Sequence, residues 1–388
     1  MKWRYPLSDI DLGKEEEKGV LKVLQSRWLS TGPVTERFEK AFSEYLGGGY
    51  AVAVSNGTAA LHLALACLDL EEGDEIVLPS LTFVATANAV LYVGAKPVFA
   101  DIRGPDDLNI SPREIEKKVN EKTKVIIVMH YGGYPCDMGP VMKIARKYGL
   151  YVVEDAAHAP GATYRNRKCG LIGDLGCFSF FSNKNLVTGE GGMVVTRDRK
   201  RAERVRQMRS HGMEALSWDK YHGHFSSYDI ERLGYNYRTT EISSALGLAQ
   251  LSKLDRNTER RRKLVEAYRK GLRGVDAISI PFSRCKDRSS CHLFPVLVAQ
   301  TGDSRSSALR DRLKESLRDL GVQTSIHYPP VHLFSLYRSR FGYREGMLPK
   351  TEEVSRRELT LPLHPRMGIR DVNWISKKLK EVIDHPGS

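Results

Sequence analysis

Four consecutive apolar residues, Val125-Ile126-Ile127-Val128, constrain the fold of this chain more than any other feature. Successive side chains of a strand point to opposite faces, so a strand that is apolar at every position needs cover on both sides. Short runs of strand character recur at Tyr50 to Val54, Glu75 to Pro79, Lys96 to Asp101, Lys124 to His130, Tyr151 to Glu154 and Gly192 to Thr196. Between them, Thr58 to Cys67, Thr82 to Val93, Pro112 to Val119 and Met138 to Tyr148 carry helical patterns. This alternation predicts an α/β fold built on a doubly wound, mainly parallel sheet.

Other segments flank that region. Phe38, Phe42 and Leu46 share one helical face, which predicts an N-terminal helical segment over 1–46. A large domain over 47–274 follows and ends in a long helix from about Thr240 to Leu272. Beyond it a smaller C-terminal α+β domain, 275–388, is expected, with strands at His292 to Ala299 and Val322 to His327 and helices at Ser304 to Leu320 and Ile369 to Ile383. Lys and Arg number 60 against 47 acidic residues, a net charge of +13 that raises nucleic acid, membrane surfaces and anionic small molecules as partners. Most of the surplus lies in Arg197 to Met213 and Asp255 to Arg273, interleaved with Val, Leu, Met or Tyr, a pattern of solvated helix faces without a nucleic-acid-binding motif. No run approaches the ~18 to 20 apolar residues of a membrane span, and the opening residues lack the apolar core of a signal peptide, so a cytoplasmic protein with no membrane partner is expected. The six cysteines have no CxxC-type spacing, so neither a metal site nor disulfides are expected.

Three motifs carry chemistry. Ser55-Asn56-Gly57-Thr58-Ala59-Ala60 lies between a strand and a helix, where free N–H groups and the helix dipole make an anion site; Thr58 serves there either as a ligand or as a plain N-cap. Val152-Val153-Glu154-Asp155-Ala156-Ala157-His158 runs an apolar strand into acidic residues at its carboxyl end, where open α/β sheets bind ligands; Asp155 either pairs with a ligand cation or caps a turn. Phe178 to Gly192 sets Lys184 between an aromatic run and a glycine turn, where desolvation lowers an ammonium pKa and makes the amine nucleophilic toward an aldehyde. Anion loop, carboxylate and lysine are the three contacts that pyridoxal phosphate requires for its phosphate, pyridinium and aldehyde.

In this order the motifs resemble fold-type-I pyridoxal-phosphate enzymes, specifically the DegT/DnrJ/StrS-type sugar aminotransferases. The resemblance spans nearly the whole chain and includes Trp28-Leu29-Ser30-Thr31-Gly32-Pro33, Pro79-Ser80-Leu81-Thr82-Phe83, Gly189-Glu190-Gly191-Gly192, Gly234-Tyr235-Asn236-Tyr237-Arg238, His327-Tyr328-Pro329 and Leu361-Pro362-Leu363-His364-Pro365. It implies that Lys184 bonds to the cofactor aldehyde and then moves the substrate proton, and that Asp155 keeps the ring nitrogen protonated. It further implies that Phe83 stacks on the ring, that His158 lies near its hydroxyl side, and that Gly57, Thr58, the Ala59 N–H and Ser179 hold the phosphate with Asn236 of a neighbouring subunit. Trp28, Ser30, Thr31, His327, Tyr328 and the region Trp218 to Tyr228 would read the sugar. The implied activity is transfer of an amino group, from glutamate through the pyridoxamine form of the cofactor, to a keto group of a nucleotide-linked sugar by a homodimer. Relatives with histidine in place of the lysine are dehydratases, and Lys184 favours transamination. Transamination without a sugar nucleotide and a non-catalytic regulatory role are the alternatives.

Overall fold

The computed structural model describes residues 3–213, 229–230, 232–299 and 303–384. At its centre a seven-stranded sheet runs in the order Tyr50–Val54, Gly192–Thr196, Leu175–Ser179, Tyr151–Asp155, Thr123–Met129, Glu75–Pro79, Lys96–Ala100. Gly192–Thr196 is antiparallel to both neighbours, and every other pairing is parallel. The other six strands therefore deliver their carboxyl ends to one edge.

Both faces of the sheet are covered, as the apolar runs require. Ile126 and Val128 enter a core shared with Phe38, Phe42 and Val141, while Val125 and Ile127 enter the opposite core with Leu63, Val90 and Val205. All four strand residues are fully buried, worth ~1.5 to 3 kcal/mol for each side chain. The strand Leu175–Ser179 escapes the sequence pattern because Gly176, Cys177 and Ser179 dilute it. Gly176 is imposed by packing: a Cβ there would lie 2.1 Å from the Gly170 carbonyl oxygen.

A second, antiparallel sheet joins Ile278–Ser279, Phe294–Val298 and Glu358–Leu361. Its core takes Leu313, Leu317, Val372 and Leu379 from the C-terminal part, but also Leu264, Val265 and Tyr268 from the long helix Glu241–Gly271 and Tyr5 from the N-terminal segment. Packing thus crosses the divisions expected at 46 and 274. The strand expected at Val322 to His327 is absent; only isolated bridges, Tyr5 with Val322 and Ser325 with Thr360, form there. Its place beside Phe294–Val298 is taken by Glu358–Leu361, whose pattern is cut short by Pro362.

The basic stretches are not uniformly solvated. Arg209 is 1% exposed and donates to Glu39 at 2.6 Å and to the Ala53 carbonyl at 2.7 Å. Arg261 is buried, donates to the Leu363 carbonyl at 2.6 Å, and has its pKa lowered to about 10 by burial. Five of the six cysteines are buried and all are free. Among the described residues no helix is long and apolar enough to cross a membrane.

Candidate active site

The carboxyl edge of the sheet gathers the three motifs around one cavity of about 370 Å³. The strand Tyr50–Val54 feeds the helix Gly57–Ala66, whose N-cap is Asn56: its side chain accepts from the Ala59 N–H at 2.8 Å. The Ala59 N–H, expected to meet the phosphate, here donates to Asn56, Ala59 is buried, and Thr58 is not the cap. Among the described residues no group accepts from the N–H groups of Gly57 and Thr58, the usual orphans of a first helical turn. Ser179 closes this corner so tightly that a Cβ on Gly57 would lie 2.8 Å from the Ser179 Cβ.

Asp155 ends the strand Tyr151–Asp155 at the cavity floor, 4% exposed. Its Oδ2 accepts from Thr86 Oγ1 at 2.7 Å and its Oδ1 from the Ala157 N–H at 3.2 Å, so the expected turn contact coexists with a carboxylate that lines the cavity. Thr86, having given its proton to Asp155, accepts from Thr82 Oγ1 at 2.8 Å. Burial raises the Asp155 pKa against these hydrogen bonds and the Lys184 charge, so the carboxyl is held where a cationic partner gains most. Glu154, one residue earlier, faces the other side, where it takes His130 Nε2 at 3.0 Å and the N–H groups of Gly170, Ile172 and Gly173 at 2.7 to 2.8 Å. His130, Glu154 and Cys169 converge as metal ligands do, yet Cys136 N–H occupies His130 Nδ1, which leaves its Nε2 proton pledged to Glu154.

Lys184 sits on the connection between Leu175–Ser179 and Gly192–Thr196, whose ends pair at Ser179 and Gly192. Phe180 N–H donates to the Gly191 carbonyl and Thr188 N–H to the Phe180 carbonyl, both at 2.8 Å, and these close the loop beneath the lysine. Burial lowers the Lys184 pKa to about 8, with Asp155 pulling the other way. His158 is 2% exposed and kept neutral by burial and by the positive charge of Lys184. His327 and Tyr328 reach the cavity from the C-terminal part; burial lowers the His327 pKa to about 4, and its Nδ1 lies 2.8 Å from Thr360 Oγ1. Phe83 stands on the rim with 57% of its surface exposed, an unusual state for a large aromatic side chain.

Other expected residues lie elsewhere in the chain. Trp28, Ser30 and Thr31 do not line this cavity; Thr31 Oγ1 donates to the Thr239 carbonyl at 2.7 Å, Trp28 Nε1 donates to the Thr31 carbonyl at 3.3 Å, and Ser30 bridges Thr240. Beside them the Glu241 carboxylate accepts from the N–H groups of Gly32, Val34 and Thr35 and so tethers the start of the helix Pro33–Leu46. Asn236 is exposed, bridges Ser210 and is likewise outside the cavity of its own chain. The region Trp218 to Tyr228 lies outside the described residues. Thr82 and Thr86 were not singled out from sequence: Thr86 lies in the first turn of the helix Val84–Tyr92 and Thr82 just before its N-cap Phe83, so their contact depends on how the chain enters the helix.

The match of residues 10–380 to the model of the DegT/DnrJ/EryC1/StrS aminotransferase family decides the family. The chain belongs to it. The chain is 38% identical over 374 residues to the spore coat polysaccharide biosynthesis protein SpsC of Bacillus subtilis, covering 96% of this chain and 95% of that one. Among solved structures, the PMP form of Spr1654 from Streptococcus pneumoniae superposes with a TM-score of 0.91 at 29% identity, covering 98% of this chain and 99% of that one, and its PLP form with a TM-score of 0.89. DesI, solved in the presence of its TDP-sugar product, gives a TM-score of 0.87 at 28% identity, with 99% of this chain and 94% of that chain covered.

The residues present fit pyridoxal phosphate. A buried acid whose hydrogen-bond donors are neutral, an amine of lowered pKa, N–H groups at a helix start with no acceptor among the described residues and an uncovered aromatic ring meet the needs of its ring nitrogen, aldehyde, phosphate and ring face. Asn183 Oδ1, also at the cavity, is buried and finds no hydrogen-bond partner among the described residues.

Proposed function

We propose that this chain is a pyridoxal-phosphate-dependent aminotransferase that moves an amino group from glutamate to a keto group of a nucleotide-linked sugar. The observation that carries the reading is the meeting of Lys184, Asp155 and the Gly57 helix start at one cavity, on a chain of this aminotransferase family. When bound, the cofactor supplies an aldehyde that carries amino groups and a protonated ring that accepts an electron pair.

Every other role falls to the chain's own residues. Gly57 and Thr58 would bind the phosphate through N–H groups, with the hydroxyls of Thr58 and Ser179 beside them. Asp155, aligned by the Thr82–Thr86 pair, would hold a proton on the ring nitrogen. Phe83 would cover one ring face and His158 would lie at the ring's hydroxyl side. Lys184, whose lowered pKa of about 8 makes its free amine far more accessible than that of an ordinary lysine, would take the proton from the substrate carbon and return it. His327 and Tyr328 would meet the substrate from above. DesI, whose structure was solved with a TDP-sugar product, supports a nucleotide-linked acceptor.

Homodimer formation belongs to the same reading. Asn236 would then serve the partner's cavity, together with Trp28, Ser30 and Thr31 as sugar contacts, since none of the four reaches its own. A cytoplasmic location agrees with the free thiols. The test is spectroscopic: the loaded protein is converted to its pyridoxamine form with glutamate, then offered ketosugars that differ in nucleotide and keto position. Return of the visible absorbance with a ketosugar supports the reading. Return with amino-acid-derived keto acids alone supports transamination without a sugar instead.

A further inference from the structure

A backbone amide fixes the direction of the hydrogen bonds around Tyr328. Gly132 adopts φ 60° and aims its N–H at His158 Nδ1, 3.3 Å away. A backbone N–H only donates, so Nδ1 carries the lone pair, and the neutral His158 ring carries its hydrogen on Nε2. Nε2 lies 3.0 Å from the Tyr328 hydroxyl and donates to it. The phenolic hydrogen must then find a different acceptor, and among the described residues there is none. The side chain lines the cavity of Lys184 and Asp155. Burial and the negative charges of Asp155 and Glu358 hold the Tyr328 pKa well above its ordinary value, so the hydrogen stays on the oxygen across the working pH range.

We infer that Tyr328 is a catalytic hydrogen-bond donor to the carbonyl oxygen of the substrate, and that His158 is the positioning residue that turns the phenolic hydrogen toward the cavity. The inference rests on the aminotransferase reading above. As an amine nitrogen bonds to the carbonyl carbon, the π pair of C=O moves to oxygen, and the Tyr328 O–H stabilises the charge that gathers there. The phenol keeps its proton. A preorganised donor of this kind acts without reorientation because His158 has already filled the alternative role of the Tyr328 oxygen as acceptor.

Tyr328→Phe removes the donor and keeps the ring. Loaded with cofactor and assayed with a nucleotide ketosugar, it should keep its visible absorbance and lose about 100-fold in kcat, with KM within about threefold of the parent. His158→Gln restores a donor amide beside the phenol and should recover much of the loss seen in His158→Leu. Independently of turnover, ¹⁵N NMR of the protein should find His158 protonated on Nε2 and bare on Nδ1. A Tyr328→Phe enzyme within about threefold of parental kcat, or a His158 proton on Nδ1, overturns the inference. A parental enzyme inert toward every ketosugar refutes the aminotransferase reading and the Tyr328 role with it, whereas a parental enzyme that turns over beside an equally active Tyr328→Phe refutes the role alone.

Discussion

Capture of pyridoxal phosphate by Lys184 should follow pH with a break at about 8. The lysine's ordinary pKa of 10.5 is lowered to about 8 because its ammonium is desolvated in the cavity. At pH 7 about one lysine in ten then carries a free amine, against about one in 3,000 for an unshifted group, a gain of about 300-fold in the reacting form. The assay mixes cofactor-free protein with pyridoxal phosphate and follows the visible absorbance, with the pH varied from about 6 to about 10. The rate should climb about tenfold per pH unit up to the break and level off above it. Asp155 raises the Lys184 pKa, so Asp155→Asn should move the break to lower pH. A rate that climbs without a break to pH 10, or a break that moves upward in Asp155→Asn, would refute the reasoning. The sign for stability is the reverse of a salt-bridged lysine: between about pH 8 and 10.5 the unfolded chain binds more protons, so this group adds stability as pH rises through that window.

Other outcomes follow from the same geometry. Asp155→Asn should melt near the parent temperature yet lose about 100-fold or more in kcat, because a neutral ring is a poorer electron acceptor; turnover near the parental rate would remove Asp155 from its role. Gly57→Ala puts a Cβ 2.8 Å from the Ser179 Cβ, so the helix start must separate from the strand end at ~1 to 3 kcal/mol. Its affinity for pyridoxal phosphate should fall far more than its affinity for pyridoxal, and an equal fall in titrations with both would count against the anion site. Arg209→Ala leaves the Glu39 carboxylate only Arg206 at 3.7 Å and the Ala53 N–H at 2.9 Å and takes a donor from the Ala53 carbonyl, so a loss of ~1 to 3 kcal/mol and a drop of about 1 to 4 °C in thermal melting are expected.

The sheet was legible because several of its strands contain runs that are apolar at every residue, as in Val125 to Val128, and that pattern admits few alternatives. Leu175–Ser179 was hidden by Gly176, chosen for a close approach to Gly170 that no local pattern encodes. Val322 to His327 misled because its composition suits a strand, while its partners turned out to be single bridges to Tyr5 and Thr360. Lys184 and Asp155, which the fold brings to one cavity, stood out in the sequence because Asp155 ends an apolar strand and Lys184 lies between an aromatic run and a glycine turn. The occupied Ala59 N–H did not, since choosing between Asn56 and Thr58 as cap depends on backbone angles. The burial of Arg209 and Arg261 was equally invisible, because partners such as Glu39 and the Leu363 carbonyl lie 170 and 102 residues away.

The pairing of Ser179 with Gly192 makes the segment that carries Lys184 a hairpin tip whose two stems are interior strands of the main sheet. The reactive amine is thus clamped at both ends of a short loop, and the positional error it accumulates relative to Asp155 is that of two pairing steps within the same sheet. His327 and Tyr328 are held from both sides, by Tyr131 and His158 of the main-sheet side and by Thr360 and Ser355 beside the smaller sheet. Substitutions that loosen the smaller sheet should therefore erode substrate handling first and leave cofactor capture nearly intact.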